Sequence, residues 1–489
     1  METKLFTKRF DTGVTADVSE DFTLPDYQPE IRRVIGVRAA VSVDGKYLTG
    51  DELETDGGVT YTVLYTDENG RVAETSQTSS YTGHIPLKTD EGLYGANDIV
   101  LSSAVENVSC RVTAPRRFTL SSRVRLSALS EKPEDCGLKL SDGDESSVRR
   151  KCETHRTACL TEIRKPAEVS GTIREQAGAR IIMAQGEIVI NDVRISPAAK
   201  NEATVKGDAL ITVLVETPDG GYASSRGRAP VDETVSLPDG ISGEKNCAAA
   251  FANVVMTELD AAEDGTVSWR MEYDIDCDVM KTAECEVTDD AYLTSSDYRL
   301  TVSDFTPYTP AAAVNGRLTL NGTAKKRPDT EYLTSWGSGF VDRCTINDGR
   351  LTVSGNVRVI LCSVGDGESA TDEIGIPFRY ECEAADGAGD SEGTGLCGKV
   401  VVTVPEITVR DEGESLSVTA ETAIAGILLG SEQITAATAI TPVKTDSPTD
   451  TDEAVIRLYV PDDGESAWEV RKKFRLADEA EMEGKLYIM

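Results

Sequence analysis

The chain has 489 residues, 39% of them hydrophobic, and its 84 acidic and 50 basic side chains give a formal net charge of −34. At about 150 residues per domain this length predicts about three domains. The negative charge argues against binding to nucleic acid or to an anionic membrane surface, since both require clustered cations, and no run of ~18 apolar residues is present to span a bilayer.

The first segment of the chain combines a charged N-terminus with a proline-containing signature. Residues 1–9 are mostly polar and have no apolar core, which argues against a Sec-type signal peptide. The following stretch 21–35 reads Asp-Phe-Thr-Leu-Pro-Asp-Tyr-Gln-Pro-Glu-Ile-Arg-Arg-Val-Ile, and its two prolines predict an extended segment. Ile31, Val34 and Ile35 are spaced for one buried face of a helical turn.

Three runs of alternating apolar and polar residues indicate a repeated β-unit. They extend from Gly58 to Tyr65, from Gly207 to Val215 and from Gly355 to Cys362. In each run a leucine is followed six residues later by a turn glycine: Leu64 and Gly70, Leu214 and Gly220, Leu361 and Gly367. A strand is predicted on either side of each run, and a two-strand segment closes each unit: Ile99 to Leu129, Ala249 to Val279, and Lys399 to Leu428.

The predicted fold class is mainly β, with three tandem β-sandwich or open-barrel-like units and a small C-terminal βααβ segment. The predicted organisation is a first β domain at 1–135, a polar linker at 136–157, a second β domain at 158–290, a connector at 291–327, a third β domain at 328–440, a linker at 441–454 and the C-terminal segment at 455–489. Within the connector, 311–314 and 318–320 could form an extra strand or a short helix.

The proline-containing signature resembles the opening of SPOCS-domain proteins, which begin a β-unit with "(V/L)-P-D-x-x-P-(D/E)-I". The matching positions are Pro25, Asp26, Pro29 and Ile31. The stretch 290–294 is similar to the family's "Asp-Ala-Tyr-Ser-Thr", with leucine in place of serine, and Ile376-Pro377-Phe378 resembles its Pro-Phe return strand.

The family consists of spore-coat morphogenetic proteins of spore-forming Firmicutes, the SipL type. The resemblance implies that the β-units act as a scaffold which contacts coat proteins or sister copies. It also implies a location in the cytoplasm of the mother cell, at the forespore surface and in the spore coat.

The C-terminal segment predicts a strand at 455–460, a helix to Phe474 with Ser466 as its N-cap, a second short helix at 478–482 and a strand at 485–488. This order resembles a LysM domain, although the segment is short for that fold. Family members use this domain to bind the ATPase scaffold of the coat's basement layer. The resemblance therefore implies protein docking here, through residues of the first helix and the turn before it: Glu465, Trp468, Arg471 and Lys472. Weak glycan binding, and a cap that packs on the third unit, remain alternatives.

The residues that could carry chemistry are few. Two histidines, His84 and His155, argue against a histidine-based triad or a histidine-rich metal site. Eleven cysteines without a Cys-x-x-Cys pair predict reduced, mostly buried thiols. The alternative is late oxidative cross-linking of exposed cysteines such as Cys136, Cys152 and Cys159.

Four acidic residues, Glu272, Asp274, Asp276 and Asp278, alternate along one predicted strand. This pattern predicts a solvated sheet face, with weak cation binding as the alternative. No catalytic residue, cofactor or metal site is predicted, and neither is membrane insertion. The expected function is that of a non-enzymatic scaffold; a peptidoglycan-binding protein and a hydrolase that uses paired acids are the alternatives.

Overall fold

The computed structural model is mainly β, as predicted. The residues that it describes are 4–87, 99–141, 144–196, 201–239, 241, 246–365, 368–386, 388, 391–392, 396–443, 458–462, 464–476, 482–483 and 486–488. Their strands form eight sheets, of which seven are three-stranded and one is four-stranded. Among the helices described, none has the length and apolar character needed to cross a membrane.

The first six strands form two antiparallel sheets. The strands are β1 (Lys4–Thr23), β2 (Arg33–Thr49), β3 (Glu52–Thr66), β4 (Val72–Pro86), β5 (Ile99–Ala114) and β6 (Arg117–Asp135). One sheet has the order β1-β6-β5 and the other β2-β3-β4. The sequence pattern predicts β5 and β6 but misses β1, which pairs with β6 from end to end.

The next six long strands have the same arrangement. A two-residue strand, β7 (Lys139–Leu140), and a 3-10 turn (Glu145–Ser147) lead to β8 (Val148–Arg174), β9 (Arg180–Ile195), β10 (Glu202–Glu216), β11 (Tyr222–Ser236), β12 (Cys247–Ala261) and β13 (Thr266–Leu293). The sheets are β8-β13-β12 and β9-β10-β11. The stretch predicted as a linker at 136–157 therefore contains β7 and the beginning of β8.

The third group adds further strands to this arrangement. Its strands are β14 (Asp297–Phe305), β15 (Tyr308–Lys325), β16 (Thr330–Asn347), β17 (Arg350–Gly365), β18 (Glu368–Glu383), β19 (Ser391–Glu392), β20 (Cys397–Asp411), β21 (Ser415–Ser431) and β22 (Ile434–Val443). The orders β15-β21-β20 and β16-β17-β18 match those of the earlier sheets; β19 extends the second at β16, while β14, β22 and β7 form a separate sheet. Of the alternatives open for 311–314 and 318–320, the strand is observed, in β15.

The C-terminal segment contains β23 (Leu458–Tyr459), α1 (Ala467–Phe474), β24 (Met482–Glu483) and β25 (Leu486–Ile488). Ser466 caps α1 as predicted, and its side chain and that of Glu469 form a reciprocal capping box. The predicted βααβ order is not observed in the described part of the segment, where one helix is followed by two strands. The second helix was predicted at 478–482; 478–481 lie outside the described residues, and Met482 begins β24. A helix as short as the one predicted at 478–482 is stable only when tertiary contacts support it.

The proline-containing signature forms a turn between the first two sheets. The amide of Gln28 donates to the carbonyl of Pro25 at 3.0 Å, and β2 begins two residues after Ile31. The predicted helical turn at Ile31, Val34 and Ile35 is therefore wrong. Val34 and Ile35 belong to a strand because β2 pairs with β3 from Arg33 onward.

Each pair of three-stranded sheets encloses a hydrophobic core. In β3 the side chains of Val59, Tyr61, Val63 and Tyr65 are completely buried in the first core, which is the alternation expected of a strand with one inner face. The second sheet pair, formed by β8 to β13, and the third, formed by β15 to β21, each enclose a separate core. The turn after β3 has Gly70 at φ +79°, a left-handed conformation that glycine adopts without strain.

The three sheet pairs also meet in hydrophobic clusters to which all of them contribute, and the one described here is called the central cluster. The first pair contributes Ile35, Leu64 and Val72, the second Ile182, Met183 and Leu214, and the third Leu333, Trp336 and Cys362. Hydrogen bonds connect neighbouring pairs around it. Arg180 donates to the carbonyl of Val72 at 2.8 Å, Arg226 pairs with Glu406, and Thr371 donates to the carbonyl of Ile35. The three sheet pairs thus pack against one another instead of forming an open row.

The edges of the two sheets in each pair face each other. β1 lies beside β4 and β2 beside β5, and the equivalent strands of the other pairs are in contact in the same way. In the third pair the approach is close enough to require glycine: a Cβ on Gly339 in β16 would lie 2.2 Å from Cγ1 of Val402 in β20. Each of these edge strands therefore lies next to an edge strand of the other sheet, which restricts the room for an added strand.

Candidate functional site: the buried ionic centre and the docked helix

The acidic face of β13 does not form the predicted solvated surface. Asp276 is 4% exposed and Asp278 is 1% exposed. The prediction is wrong for these two residues because alternation within one strand separates two faces but does not reveal what covers each face. Here side chains from β2, β8 and β20 cover the acidic end of the strand.

The buried charged side chains around Asp276 and Asp278 are called here the ionic centre. Glu162 and two lysines, Lys46 and Lys399, form its middle. Lys46 Nζ lies 2.6 Å from one carboxylate oxygen of Glu162, and Lys399 Nζ lies 3.6 Å from the other. Lys46 also donates to the carbonyl of Ile99 at 2.7 Å, and Lys399 to that of Leu101 at 3.4 Å. Because Lys46, Glu162 and Lys399 come from the first, second and third sheet pairs, their ion pairs join all three.

Asp276 is paired on the same side of the sheet. Arg164 Nε donates to one of its carboxylate oxygens at 2.7 Å, and Asn253 donates to the other at 3.2 Å. Arg164 also donates to the carbonyl of Val43 in β2. Burial opposes the charge of Arg164, but the hydrogen bond and charge of Asp276 outweigh it and raise the pKa of the guanidinium.

Asp278 is a member of the ionic centre whose buried carboxylate is unsatisfied. Neither of its carboxylate oxygens has a hydrogen-bond partner among the described residues. Burial raises the pKa of Asp278 to about 7, although the charge of Lys399 acts in the opposite direction. Burial also disfavours the charged form of Lys399, but Asp278 and Glu162 outweigh this effect and raise the lysine pKa. The arrangement can therefore change its protonation near neutral pH.

The predicted docking residues of the C-terminal segment are largely engaged within the chain. Trp468 Nε1 donates to a carboxylate oxygen of Asp290 at 2.8 Å, and Lys472 Nζ lies 2.6 and 2.7 Å from the two oxygens of the same carboxylate. The Trp468 ring also packs edge-on against Tyr292, with centroids 5.1 Å apart. These contacts hold α1 against the end of β13, in the second sheet pair.

Of the other two predicted docking residues, Glu465 is engaged within the segment itself. Glu465 accepts a hydrogen bond from the Tyr459 hydroxyl at 2.6 Å and lies 3.4 Å from Lys473 Nζ. Arg471 is half-buried, and its Nε has no hydrogen-bond partner among the described residues. Glu469 and Lys473 are the exposed charged side chains of α1.

The proline-containing signature has a structural environment. Arg116 donates to the carbonyls of Pro25, Gln28 and Leu24, at 2.6, 3.2 and 3.4 Å. Asp26 lies 4.0 Å from the same guanidinium, and Pro29 accepts a hydrogen bond from Tyr65 at 3.1 Å. Ile31 is buried in the first core. Pro25, Pro29 and Ile31 therefore help to hold the crossing from β1 to β2, whereas Asp26 is fully exposed and its ion pair contributes little.

One group of side chains could hold a divalent cation. Glu153 and His155, two residues apart in β8, lie near Asp289 in β13, and one potential ligand atom from each lies within 4.8 Å of the others. Burial and the adjacent Glu153 carboxylate raise the pKa of Asp289. The sequence does not reveal this group because Asp289 is far from His155 along the chain and faces it through an irregularity in the pairing of β13 with β8.

The cavities among the described residues are weaker candidates for a binding site. One cavity has a volume of about 410 Å³ and lies between the first and third sheet pairs. Its charged lining is mixed in sign, with two lysines, Lys8 and Lys132, and three acidic residues, Asp11, Glu134 and Asp304.

Comparisons with known proteins give no family. No family model matches the chain, and no curated protein matches it. Among solved structures, a crystal structure of lipopolysaccharide binding protein is matched over 52% of this chain and 91% of that chain, with 8% sequence identity and a TM-score of 0.09. Similarity this low carries no argument about fold or function.

Proposed function

We propose that the protein is a non-enzymatic scaffold or adaptor in the assembly of a spore coat or spore envelope, and that it works through contacts with other proteins. The observation that carries the proposal is the packing of the three sheet pairs around the central cluster and the ionic centre. In both features, buried side chains fix the sheet pairs relative to one another. A rigid arrangement of this kind is expected of a protein that holds its partners at set positions.

In this proposal the three sheet pairs are tandem SPOCS-like domains. The recurrence of one strand order in all three pairs supports this reading, as does the signature at Pro25, Asp26, Pro29 and Ile31, which closes the first pair. The domains bind other coat proteins or further copies of the chain in the mother-cell cytoplasm, at the forespore surface. Their outer sheet faces provide these contacts, because the edges of the two sheets in each pair face each other.

The C-terminal segment provides the contact with the basement-layer ATPase. Trp468 and Lys472 act by seating α1 on Asp290, and the exposed side chains Glu469 and Lys473 meet the partner. This division follows from exposure: Trp468 and Lys472 are half-buried against the second sheet pair, whereas Glu469 and Lys473 are exposed, although Glu469 also caps α1 and Lys473 also donates to Tyr459. Engagement of Trp468 by Asp290 and Tyr292 also argues against glycan stacking on that ring.

The test is capture of the purified basement-layer ATPase by the full chain, by a form that lacks residues 455–489, and by Lys473→Glu. Both changes should weaken capture, whereas Lys325→Glu, an exposed lysine in β15, should leave it unchanged. Undiminished capture by the truncated form would refute the role of the segment. Pelleting with purified peptidoglycan distinguishes the glycan alternative, which requires binding that Trp468→Ala abolishes.

The scaffold role as a whole is tested by following a fluorescent fusion in sporulating cells. A shell around the forespore supports it, and a diffuse signal throughout sporulation would contradict it.

A further inference from the structure

The segment that follows β6 brings Cys136 into contact with a cysteine of the second sheet pair. Its Sγ lies 3.4 Å from Sγ of Cys285, which is 149 positions away along the chain. Both side chains are 0% exposed and lie in a small hydrophobic cluster with Leu5, Val287 and Ile434. This contradicts the expectation that Cys136 is exposed near a polar linker.

A disulfide bond is about 2.05 Å long, so the two sulfur atoms need to approach by roughly 1.4 Å. Such a movement is small for a side chain at the end of a strand. β6 ends at Asp135, and Gly137 immediately follows Cys136, so the backbone on one side of the contact is outside a strand. Cys285 is fixed in the middle of β13, where it pairs with His155 of β8.

We propose that Cys136 and Cys285 are a disulfide-forming pair, and that their oxidation covalently fastens the first sheet pair to the second. The oxidant is a small-molecule disulfide such as oxidised glutathione. One cysteine thiolate attacks it, forms a mixed disulfide and releases one glutathione thiolate. The second cysteine thiolate then attacks the protein sulfur of the mixed disulfide, forms the Cys136–Cys285 bond and releases the second glutathione. Two protein thiols are oxidised, one glutathione disulfide is reduced to two thiols, and the two protons released by the protein thiols end on the two glutathione thiols.

The surroundings determine when this exchange takes place. Burial raises the pKa of Cys136, and the contact with Cys285 offsets that effect only in part. Thiolate is the reactive form, so the folded pair exchanges slowly in either direction. The bond is therefore expected to form while the chain is folding, and then to be protected from reduction by the packed cluster.

The proposal is independent of the scaffold function and is tested on the full chain. The reduced protein is unfolded in urea and refolded in a buffer of reduced and oxidised glutathione. It is then denatured and labelled with N-ethylmaleimide, and its mass is measured by mass spectrometry. The expected product carries nine labels, eleven cysteines less two, and yields a single cross-linked peptide pair that contains Cys136 and Cys285.

Two variants serve as controls. Cys136→Ala should carry ten labels without a cross-link, whereas Cys110→Ser, which changes a half-buried cysteine of β5, should retain the cross-link. Peptide mapping of the unmodified chain needs no variant, so a folding defect of Cys136→Ala does not obscure the result. Eleven labels at every glutathione ratio, or nine labels with a cross-link between other cysteines, would overturn the proposal.

Discussion

Asp278 should destabilise the protein at neutral and higher pH, and Asp278→Asn should therefore stabilise it. The carboxyl group is buried without a hydrogen-bond partner among the described residues. It is surrounded by Lys399 of β20 and Lys46 of β2, which favour its charge, and by Glu162 of β8 and Asp276 of its own strand, which oppose it. Asparagine has nearly the same shape and no charge, so the substitution removes the cost of burying the carboxylate.

The size of the effect follows from the pKa. Burial raises the pKa of Asp278 from its ordinary value of 3.8 to about 7. Each unit corresponds to about 1.4 kcal/mol, so a shift of roughly three units makes the charged form about 4 kcal/mol less stable in the folded protein. Because the folded-state pKa is raised, the folded protein has its full stability at low pH, where Asp278 is neutral. It loses the roughly 4 kcal/mol as the pH rises from about 4 to about 7 and the carboxyl group ionises.

The assay is thermal unfolding of the natural chain and of Asp278→Asn between pH 5 and pH 8. At pH 8 the variant should melt on the order of 5 °C higher, with a smaller difference at pH 5. Glu272→Gln is the matched control, since Glu272 lies on the same face of β13 but is partly exposed beside Arg270. Equal pH dependence in the natural chain and the variant, or a lower melting temperature for Asp278→Asn at pH 8, would refute the reasoning.

Three further predictions test the other contacts. Asp276→Asn should have the opposite sign to Asp278→Asn and lower the free energy of unfolding by about 3 kcal/mol, since it leaves Arg164 without its carboxylate; a raised melting temperature would contradict this. Arg116→Ala should cost about 2 kcal/mol in urea unfolding by leaving the carbonyls of the proline turn unsatisfied, whereas the exposed neighbour Arg117→Ala should change stability by less than about 0.5 kcal/mol. Asp290→Ala should speed hydrogen exchange in α1 at least about tenfold, because Trp468 and Lys472 lose their common partner, and unchanged exchange would argue against the seating of the helix.

Much of the strand content could be read from the sequence, because alternation along β3, β10 and β17 directly reflects one buried face. The first strand of each sheet pair was harder. β1 and β8 contain many charged residues, and their place in a sheet depends on pairing with β6 and β13 more than 90 residues away. The cap at Ser466 was predictable because it depends only on the residues that follow it.

The candidate sites depended on contacts that local patterns do not contain. The alternation of Asp276 and Asp278 with apolar neighbours is the same whether water or a second layer of lysines covers the acidic face. Only the packing of the sheet pairs decides between these outcomes, and it brings Lys46 and Lys399 to that face. The contact of Glu153 with Asp289 is likewise set by the pairing of β8 with β13, and that of Cys136 with Cys285 by packing between residues far apart along the chain.

The packing of the sheet pairs changes how a scaffold of this kind can work. Domains on flexible linkers gain affinity from effective concentration, which depends on linker length. Here Leu64, Leu214 and Trp336 meet in the central cluster, and the Lys46–Glu162–Lys399 ion pairs cross the same boundaries. In the proposed scaffold role, partners bound to different sheet pairs would consequently be held at fixed distances and angles. Because the sheet edges of each pair face each other, recruitment by strand addition is also disfavoured, so recognition in the proposed role should depend on side chains of the outer sheet faces and on the orientation that Asp290 gives to α1.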